Sequence, residues 1–209
     1  MHTALKSARS ILILLCVVFT TPALSNQSTL LVLGDSLSAA YGVPSETAWV
    51  ELLKEKLANN GHKQWQVVNA SISGETTDGG ARRLPGLLEK HSPDVVIIEL
   101  GGNDGLRGFP PNVIESNLAS MISQAKDSGA LTILVGMQIP PNYGQRYTSM
   151  FADIFPKLSD QYDTELVPFF LDGVYDQEGL MQDDGIHPTV EAQPILLNNV
   201  WPVLEPILH

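Results

Sequence analysis

The chain has 209 residues, of which 44% are hydrophobic and 17% are charged, and its formal net charge at pH 7 is −11. This length and composition suit one domain with a full hydrophobic core, and the chain has no low-complexity tract, repeat or interdomain linker. An acidic protein of this kind is repelled by nucleic acid and by anionic lipid head groups, so neither is expected as a partner.

Residues 1–25 have the pattern of an export signal. Lys6 and Arg9 give a basic start, an apolar run extends from Ile11 to Phe19, and small residues lead to Ser25. The apolar run is too short to span a bilayer comfortably, so we expect cleavage after Ser25 rather than a stable membrane anchor. The predicted location is the periplasm or the outside of the cell.

The predicted mature chain, residues 26–209, forms a single domain. Cys16 lies inside the apolar run of the leader and follows a leucine, which argues against a lipoprotein. Its removal leaves no cysteine and hence no disulfide, and the loss of Lys6 and Arg9 lowers the formal charge from −11 to −13. We expect a monomer.

Strand-like apolar runs alternate with segments of helical periodicity along the mature chain. The predicted strands are Leu30–Leu33, Trp65–Ala70, Asp94–Leu100, Leu131–Val135 and Leu166–Phe170. Predicted helices follow the five strands in turn: one that starts near Trp49, one from about Thr77 to Lys90, one that opens at Asn112, one over residues 151–162, and one from about Thr189. This alternation predicts a three-layer α/β/α domain of the flavodoxin-like kind, with a five-stranded parallel sheet.

Caps and prolines mark the predicted helix boundaries. Asn59-Asn60-Gly61 closes the first helix, and Asn112 with Glu115 reads as an N-cap with its capping-box partner. Prolines should disturb three helices, because a proline lacks the backbone N–H. Those prolines are Pro85 in the second helix, Pro156 in the fourth, and Pro194 and Pro202 in the last.

Polar residues follow the first three predicted strands where each strand ends. Ser36 follows the first strand, Gly74 the second and Asn103 the third. Ligands of such sheets bind beyond the carboxyl ends of the strands, so these residues should share one rim. The long segment after the fifth strand could bring Asp184 and His187 to the same rim.

Ser36 and His187 are the candidate nucleophile and base. Ser36 stands in Gly34-Asp35-Ser36-Leu37-Ser38. The tripeptide Gly-Asp-Ser taken alone is common in turns and by itself favours a structural turn. Asp184 precedes His187 by three residues in a turn with a glycine and a proline, which allows the carboxylate to orient the imidazole. The alternative for that turn is a capped helix start with a surface histidine. His62, His91 and His209 are most simply surface residues.

Asn103 and Gly74 are candidate donors to a developing oxyanion. Gly101-Gly102-Asn103-Asp104 places an amide just past the central strand, and Gly74 offers a backbone N–H that a substrate can approach closely. A turn or a helix start is the structural alternative at each position.

Together these blocks resemble the SGNH (GDSL) hydrolase family from about Leu30 to the last helix. The segments from Gln138 to Tyr147 and from Met181 to Pro188 most closely resemble its periplasmic branch, which acts as acyl-CoA thioesterase, arylesterase and lysophospholipase. The resemblance implies a serine esterase without metal or cofactor, acting on a small-molecule or lipid ester. It implies catalysis by Ser36, Asp184 and His187, and an oxyanion hole from Ser36, Gly74 and Asn103. It also implies that the loop after the asparagine block shapes the acyl site, which here comprises Gly105, Leu106, Arg107, Gly108, Phe109 and Pro110.

Two other functions remain open: a carbohydrate O-deacetylase of the same family and a non-catalytic binding module. Nearby polar residues are given structural interpretations: Asp35 should bond local backbone, Asp183 should be a surface acid and Glu99 a buried structural carboxylate. Met150, Phe151 and Phe155 are predicted to belong to the core.

Overall fold

The computed structural model describes residues 27–208, and the predicted leader lies outside that range. Five strands are present: β1 (Ser28–Gly34), β2 (Trp65–Asn69), β3 (Val95–Glu99), β4 (Leu131–Val135) and β5 (Glu165–Val167). Seven α-helices lie between and after them in the described range: α1 (Trp49–Asn59), α2 (Thr77–His91), α3 (Gly102–Leu106), α4 (Pro111–Asp127), α5 (Gln145–Ala152), α6 (Ile154–Tyr162) and α7 (Gln193–Leu204).

The strands form one parallel sheet in the order β2-β1-β3-β4-β5. Helices cover both faces, because α1 packs with α7 whereas α2 packs with α4 and α4 with α6. The prediction of a three-layer α/β/α fold with a five-stranded parallel sheet is therefore confirmed. The central strands are apolar throughout because both of their faces are covered, and all five residues of β3 are buried.

The position of the site follows from the strand order. The chain runs outward from β1 to β2 and then returns to β3 on the other side of β1, so the order reverses between β1 and β3. The carboxyl ends of these two strands lie side by side, with Gly34 opposite Glu99. In sheets of this type, a ligand crevice opens at that point of reversal.

The prolines have smaller effects than predicted. α2 continues through Pro85, whose ring is exposed on the water-facing side of the helix, so the lost hydrogen bond does not fall in the core. Pro194 lies in the first turn of α7, where its missing N–H has no intrahelical partner to lose, and α7 begins at Gln193 rather than near Thr189.

Three further boundaries differ from prediction. Pro110 rather than Asn112 is the N-cap residue of α4, and no side chain caps that helix, so the predicted capping box is wrong. The single helix expected over residues 151–162 is two helices that meet at Asp153, and Pro156 falls in the first turn of the second. Finally, β5 ends at Val167, because Pro168 follows it and cannot donate to a strand ladder.

Within residues 27–208, no helix has the length and apolar character that crossing a bilayer requires.

Candidate active site

Ser36 lies on a tight turn directly after β1. The N–H of Leu37 donates to Asp35 Oδ1 at 3.0 Å, and the N–H of Ala39 donates to the Asp35 carbonyl at 3.0 Å. A Cβ at Gly34 would lie 2.6 Å from Glu99 Oε2, so only glycine allows the turn to approach the carboxylate this closely. The serine is thereby held, 9% exposed, at the carboxyl edge of the sheet.

His187 is carried by a closed loop that returns from β5. Met181 and Pro188 form an antiparallel bridge, and the N–H of Gln182 donates to the His187 carbonyl at 2.7 Å. Gly185 turns the loop with a φ of 66°, a left-handed conformation that favours glycine. The loop delivers Asp184 and His187 to the same rim as Ser36.

The three side chains form one hydrogen-bonded series. His187 Nε2 lies 2.9 Å from Ser36 Oγ, and His187 Nδ1 lies 2.6 Å from Asp184 Oδ2. Asp184 Oδ1 also accepts the backbone N–H groups of Ile186 at 2.9 Å and His187 at 3.0 Å. This is the order of hydroxyl, imidazole and carboxylate that activates a serine hydroxyl.

The hydrogen bonds to Asp184 favour its ionised form. Partial desolvation raises the pKa of this carboxyl, but the donors from His187 and Ile186 outweigh it and lower the pKa to about 2. Asp184 therefore stays a carboxylate across the physiological range and keeps a proton on His187 Nδ1, which leaves Nε2 free to accept from Ser36.

Tyr41 and Gln182 hold the two halves of the site together, and neither was predicted as a site residue. The Tyr41 ring lies against His187 with a centroid distance of 4.2 Å. Gln182 Nε2 donates to the Tyr41 carbonyl at 3.0 Å and to the Pro188 carbonyl at 2.9 Å, so it joins the serine turn to the histidine loop. No sequence motif pairs positions this far apart, so only the folded structure reveals this link.

The backbone N–H groups of Ser36 and Gly74, like those of the neighbouring Ser38 and Ser73, have no acceptor among the described residues 27–208. Gly74 has a φ of 79°, and its loop is fixed beside β1 because the N–H of Ile72 donates to the Gly34 carbonyl at 3.1 Å. The Gly74 carbonyl accepts from Arg107 Nη2 at 3.1 Å. Gly74 itself is exposed and does not line the cavity described below.

Asn103 occupies the first turn of α3. The residue before that helix, Gly101, has a left-handed backbone conformation with a φ of 117°. Asn103 Nδ2 donates to Asp35 Oδ2 at 2.9 Å. The neighbouring Asp104 is fully buried and accepts from Thr77 Oγ1 at 2.5 Å and from the Thr77 N–H at 3.0 Å, which ties α3 to the start of α2. Burial raises the pKa of Asp104 although the bonds from Thr77 oppose this.

Two further carboxyl groups lie beneath the serine turn. Glu99 is completely buried and accepts from Ser38 Oγ at 2.6 Å and from the Asp35 N–H at 3.3 Å. Burial, reinforced by the charge of Asp35, raises the pKa of Glu99. Burial also raises the pKa of Asp35 to about 6, against the opposing effects of the Leu37 N–H, the Asn103 amide and His187. Asp35 thus bonds local backbone, as predicted, and also reaches Asn103.

A cavity of about 730 Å³ opens directly beside Ser36, Asn103 and His187. Its far walls come from the segment after β4, from one side of α5 and from the loop after β5. The wall residues from these segments are Met137, Gln138, Ile139, Pro140, Pro141, Thr148, Ser149, Ala152, Phe169, Leu171 and Tyr175. Most of these side chains are apolar, so the cavity can accept an aliphatic or aromatic group. The α5 residues were not predicted to face a site: Thr148 and Ser149 precede the helix predicted over residues 151–162, and Ala152 was expected only as part of that helix.

The loop predicted to shape the acyl site contributes one residue to the cavity wall, Leu106. Gly105 is buried in α3, where a Cβ would lie 2.7 Å from Ile139. Tyr147 Oη donates to the Phe109 carbonyl at 2.6 Å, and Arg107 and Gly108 are exposed. Pro110 is the N-cap residue of α4.

Phe151 and Phe155 are buried and pack edge to face, as predicted for core residues. Met150 was wrongly predicted to be core, since it is 47% exposed on the outer side of α5. Asp183 is exposed, as predicted for a surface acid. Among residues 27–208, no group of three or more His, Cys, Asp or Glu side chains is arranged to hold a metal ion.

The sheet order, the serine turn after β1 and the histidine loop define a serine hydrolase of the flavodoxin-like α/β class. Residues 32–194 match the model of the GDSL-like lipase/acylhydrolase family, and the chain belongs to that family. It is therefore an enzyme, and it hydrolyses esters or thioesters.

Three similar proteins illustrate the range of the relatives. The chain is 56% identical to an arylesterase of Vibrio mimicus over 79% of this chain and 82% of that protein. It is 45% identical to thioesterase 1/protease 1/lysophospholipase L1 of Escherichia coli strain K12, over 87% of this chain and 85% of that protein. A crystal structure of TesA superposes with a TM-score of 0.84 at 53% identity, covering 87% of this chain and all of that one (100%).

Proposed function

We propose that Ser36 is the nucleophile of this hydrolase, that His187 is its general base and acid, and that Asp184 orients His187. The observation that supports this proposal most strongly is the continuous series of contacts, 2.9 Å from Oγ to Nε2 and 2.6 Å from Nδ1 to Oδ2, at the mouth of an apolar cavity. Each distance lies within hydrogen-bonding reach for proton transfer.

In the acylation half-reaction, Ser36 Oγ attacks the carbonyl carbon while its proton passes to His187 Nε2. The tetrahedral intermediate carries its negative charge on the former carbonyl oxygen. His187 then gives the proton to the leaving oxygen or sulfur, and the bond from that atom to the carbonyl carbon breaks. The product is an acyl ester on Ser36.

Water completes the cycle. It enters beside the acyl-enzyme, transfers a proton to His187 Nε2 and attacks the same carbonyl carbon. Collapse of the second tetrahedral intermediate returns the proton to Ser36 Oγ and releases the carboxylic acid. No metal or redox group takes part in this sequence.

The oxyanion receives three donors in this proposal: the N–H of Ser36, the N–H of Gly74 and Nδ2 of Asn103. The two backbone groups have no acceptor among residues 27–208, which leaves them free for a substrate oxygen. Loss of one such donor typically lowers turnover by about 10²–10³-fold. We also assign Leu106 to the acyl site, because it is the residue of the loop from Gly105 to Pro110 that lines the cavity.

The proposed substrates are carboxylic esters and acyl thioesters with an apolar acyl group, including aryl esters, acyl-CoA and lysophospholipids. The cavity volume of about 730 Å³ supports an acyl chain larger than acetyl. The names of the arylesterase and thioesterase/lysophospholipase relatives point in the same direction.

Substrate hydrolysis tests this proposal directly. We expect p-nitrophenyl butyrate and octanoate to be hydrolysed faster than p-nitrophenyl acetate, and octanoyl-CoA to be hydrolysed as well. Ser36→Ala should abolish turnover of every one of them while its circular dichroism stays unchanged. A folded wild type without turnover would contradict the esterase assignment, and activity confined to acetyl esters would favour the deacetylase.

We further propose that residues 1–25 are removed on export and that the mature monomer, beginning at Asn26, acts in the periplasm or outside the cell. The basic start and apolar run of the leader support this proposal. N-terminal sequencing of protein recovered from the periplasmic or extracellular fraction should give Asn26-Gln27-Ser28. Recovery of a membrane-bound chain that still begins with Met1 would contradict the proposed cleavage.

A further inference from the structure

Asp35 sits between the two parts of the proposed oxyanion hole. It is 2% exposed, and its two carboxylate oxygens accept from different elements. Oδ1 accepts the N–H of Leu37 at 3.0 Å, which fixes the turn that presents the N–H of Ser36. Oδ2 accepts Nδ2 of Asn103 at 2.9 Å, so one side chain contacts both the β1 turn and α3.

The chemistry of these groups makes the second contact directional. The side-chain amide of Asn103 has a donor end, Nδ2, and an acceptor end, Oδ1, of nearly the same size. An oxyanion is stabilised only by the donor end, because the acceptor end would repel it. An ionised carboxylate accepts but cannot donate, so Asp35 pairs with the nitrogen of Asn103 and excludes the oxygen from this position.

We propose that Asp35 is a positioning residue that selects the amide orientation of Asn103 in which nitrogen faces the developing oxyanion. One N–H of Nδ2 is held by Asp35, and the second is left for the substrate oxygen. This inference rests on the proposed function, since it assigns Asn103 to the oxyanion hole.

The titratable groups around Asp35 are Glu99 on β3, Asp104 on α3 and His187 on the histidine loop. Burial, together with the charge of Asp104, favours the protonated form of Asp35, whereas the Leu37 N–H, the Asn103 amide and His187 favour the carboxylate. Because these effects place the pKa of Asp35 at about 6, the carboxylate form that selects the Asn103 nitrogen predominates at about pH 8.

Asp35→Asn is the most informative substitution because it keeps the shape of the side chain. The new Oδ1 still accepts the N–H of Leu37, and the new amide nitrogen then faces Nδ2 of Asn103. Two donors cannot bond to each other, so Asn103 is expected to rotate and present its oxygen to the substrate. The expected loss in kcat with p-nitrophenyl butyrate at about pH 8 is about 10²-fold, with KM changed less than about threefold.

A double-mutant cycle with Asn103→Ala separates this role from a structural one. If Asp35 acts through the Asn103 amide, Asp35→Asn should lower the kcat of Asn103→Ala by less than about threefold. If the two losses multiply, or if Asp35→Asn retains wild-type kcat, the proposal is wrong. Asp160→Asn, on the exposed side of α6, is the charge-matched control and should behave as the wild type.

Folding is monitored by circular dichroism and thermal unfolding, and Asp35→Ala repeats the cycle should Asp35→Asn fail to fold. The alanine removes the acceptor for Asn103 without adding a competing donor. Asp35→Ala should likewise lower the kcat of Asn103→Ala by less than about threefold. Failure of the proposed function is separately visible, because the wild type would then show no turnover that depends on Ser36.

Discussion

At the scale of single residues, the site depends on which nitrogen of His187 carries the proton. Asp184 Oδ2 lies 2.6 Å from Nδ1, and Asp184 Oδ1 is held by the backbone N–H groups of Ile186 and His187. The backbone of its own loop thus holds one oxygen of the Asp184 carboxylate, and the other oxygen contacts the imidazole. The carboxylate sets the tautomer in which Nε2 can accept the proton of Ser36.

We expect Asp184→Asn to lower kcat with p-nitrophenyl butyrate by about 10⁴-fold at neutral pH. The new Oδ1 can keep both backbone donors, which turns the new amide nitrogen towards Nδ1 and favours the tautomer with the proton on Nε2. That tautomer cannot accept a proton from Ser36. Steady-state kinetics measures the effect.

Asp183→Asn is the matched control, because it removes the same charge from the neighbouring exposed position. Its kcat should stay within about twofold of the wild type. Equal losses in the two variants would show that Asp184 acts through charge in general rather than through its contact with His187.

The site residues differ in how far the sequence could predict them. Ser36, Asp184 and His187 stand in short local patterns with turn residues, so the sequence could single them out, although it showed only that the long segment after the fifth strand could bring the last two to Ser36. The contacts of Tyr41 and Gln182 depend on a loop that returns from the far edge of the sheet, and no local pattern encodes them. The hydrogen bond from Asn103 Nδ2 to Asp35 likewise joins residues 68 positions apart, and no local pattern encodes it.

At the scale of elements, β1 and β3 end side by side and enclose a buried acid. Glu99 Oε2 accepts from Ser38 Oγ and from the Asp35 N–H, and Ser38 Oγ in turn accepts from Trp49 Nε1 at 3.2 Å. Strand β3, the serine turn and α1 are therefore joined through one carboxyl group. A buried acid is costly unless it is paired, and among the described residues the donors reach only Oε2, while Oε1 is buried without a partner.

Glu99 should make stability depend on pH in a definite direction. Burial raises the pKa of Glu99 above its ordinary value of 4.5, so the folded state binds more protons than the unfolded state above that pH. The contribution of Glu99 to the free energy of unfolding therefore falls as the pH rises above 4.5.

Glu99→Gln keeps a carbonyl acceptor but removes the titration, so this variant should gain stability relative to the wild type as the pH rises. Urea unfolding at about pH 5 and at about pH 8 measures the difference between the two proteins. A difference that is the same at both pH values would contradict a raised pKa for Glu99.

The boundaries of the elements show where sequence patterns are weakest. Strands β1, β3 and β4 were predicted well because each has at least four consecutive buried residues, which give an apolar run in the sequence. The turn at Asp153 was missed because the apolar spacing of Phe151, Ile154 and Phe155 continues across two helices. The short helix α3 was foreseen only as a possible helix start, because glycines and polar residues carry no amphipathic pattern.

At the scale of the whole molecule, the strand order explains how distant residues become one site. The reversal between β1 and β3 creates the crevice at the carboxyl edge, and the loop after β5 crosses back to that edge with His187. The alternation of strands and helices predicted this architecture. The cavity beside Ser36 could not be predicted, because its walls come from α5 and two separate loops whose packing no single segment specifies.

Covalent labelling of the folded enzyme tests the central proposal, a nucleophilic Ser36 activated by His187, most directly. Diethyl p-nitrophenyl phosphate should release one equivalent of p-nitrophenolate, and peptide mass spectrometry should find the diethylphosphoryl group on Ser36. The esterase activity lost should be proportional to the fraction of Ser36 that is labelled. His187→Ala should react far more slowly. Labelling of another residue with full loss of activity, or unchanged labelling of the His187→Ala variant, would contradict the proposal.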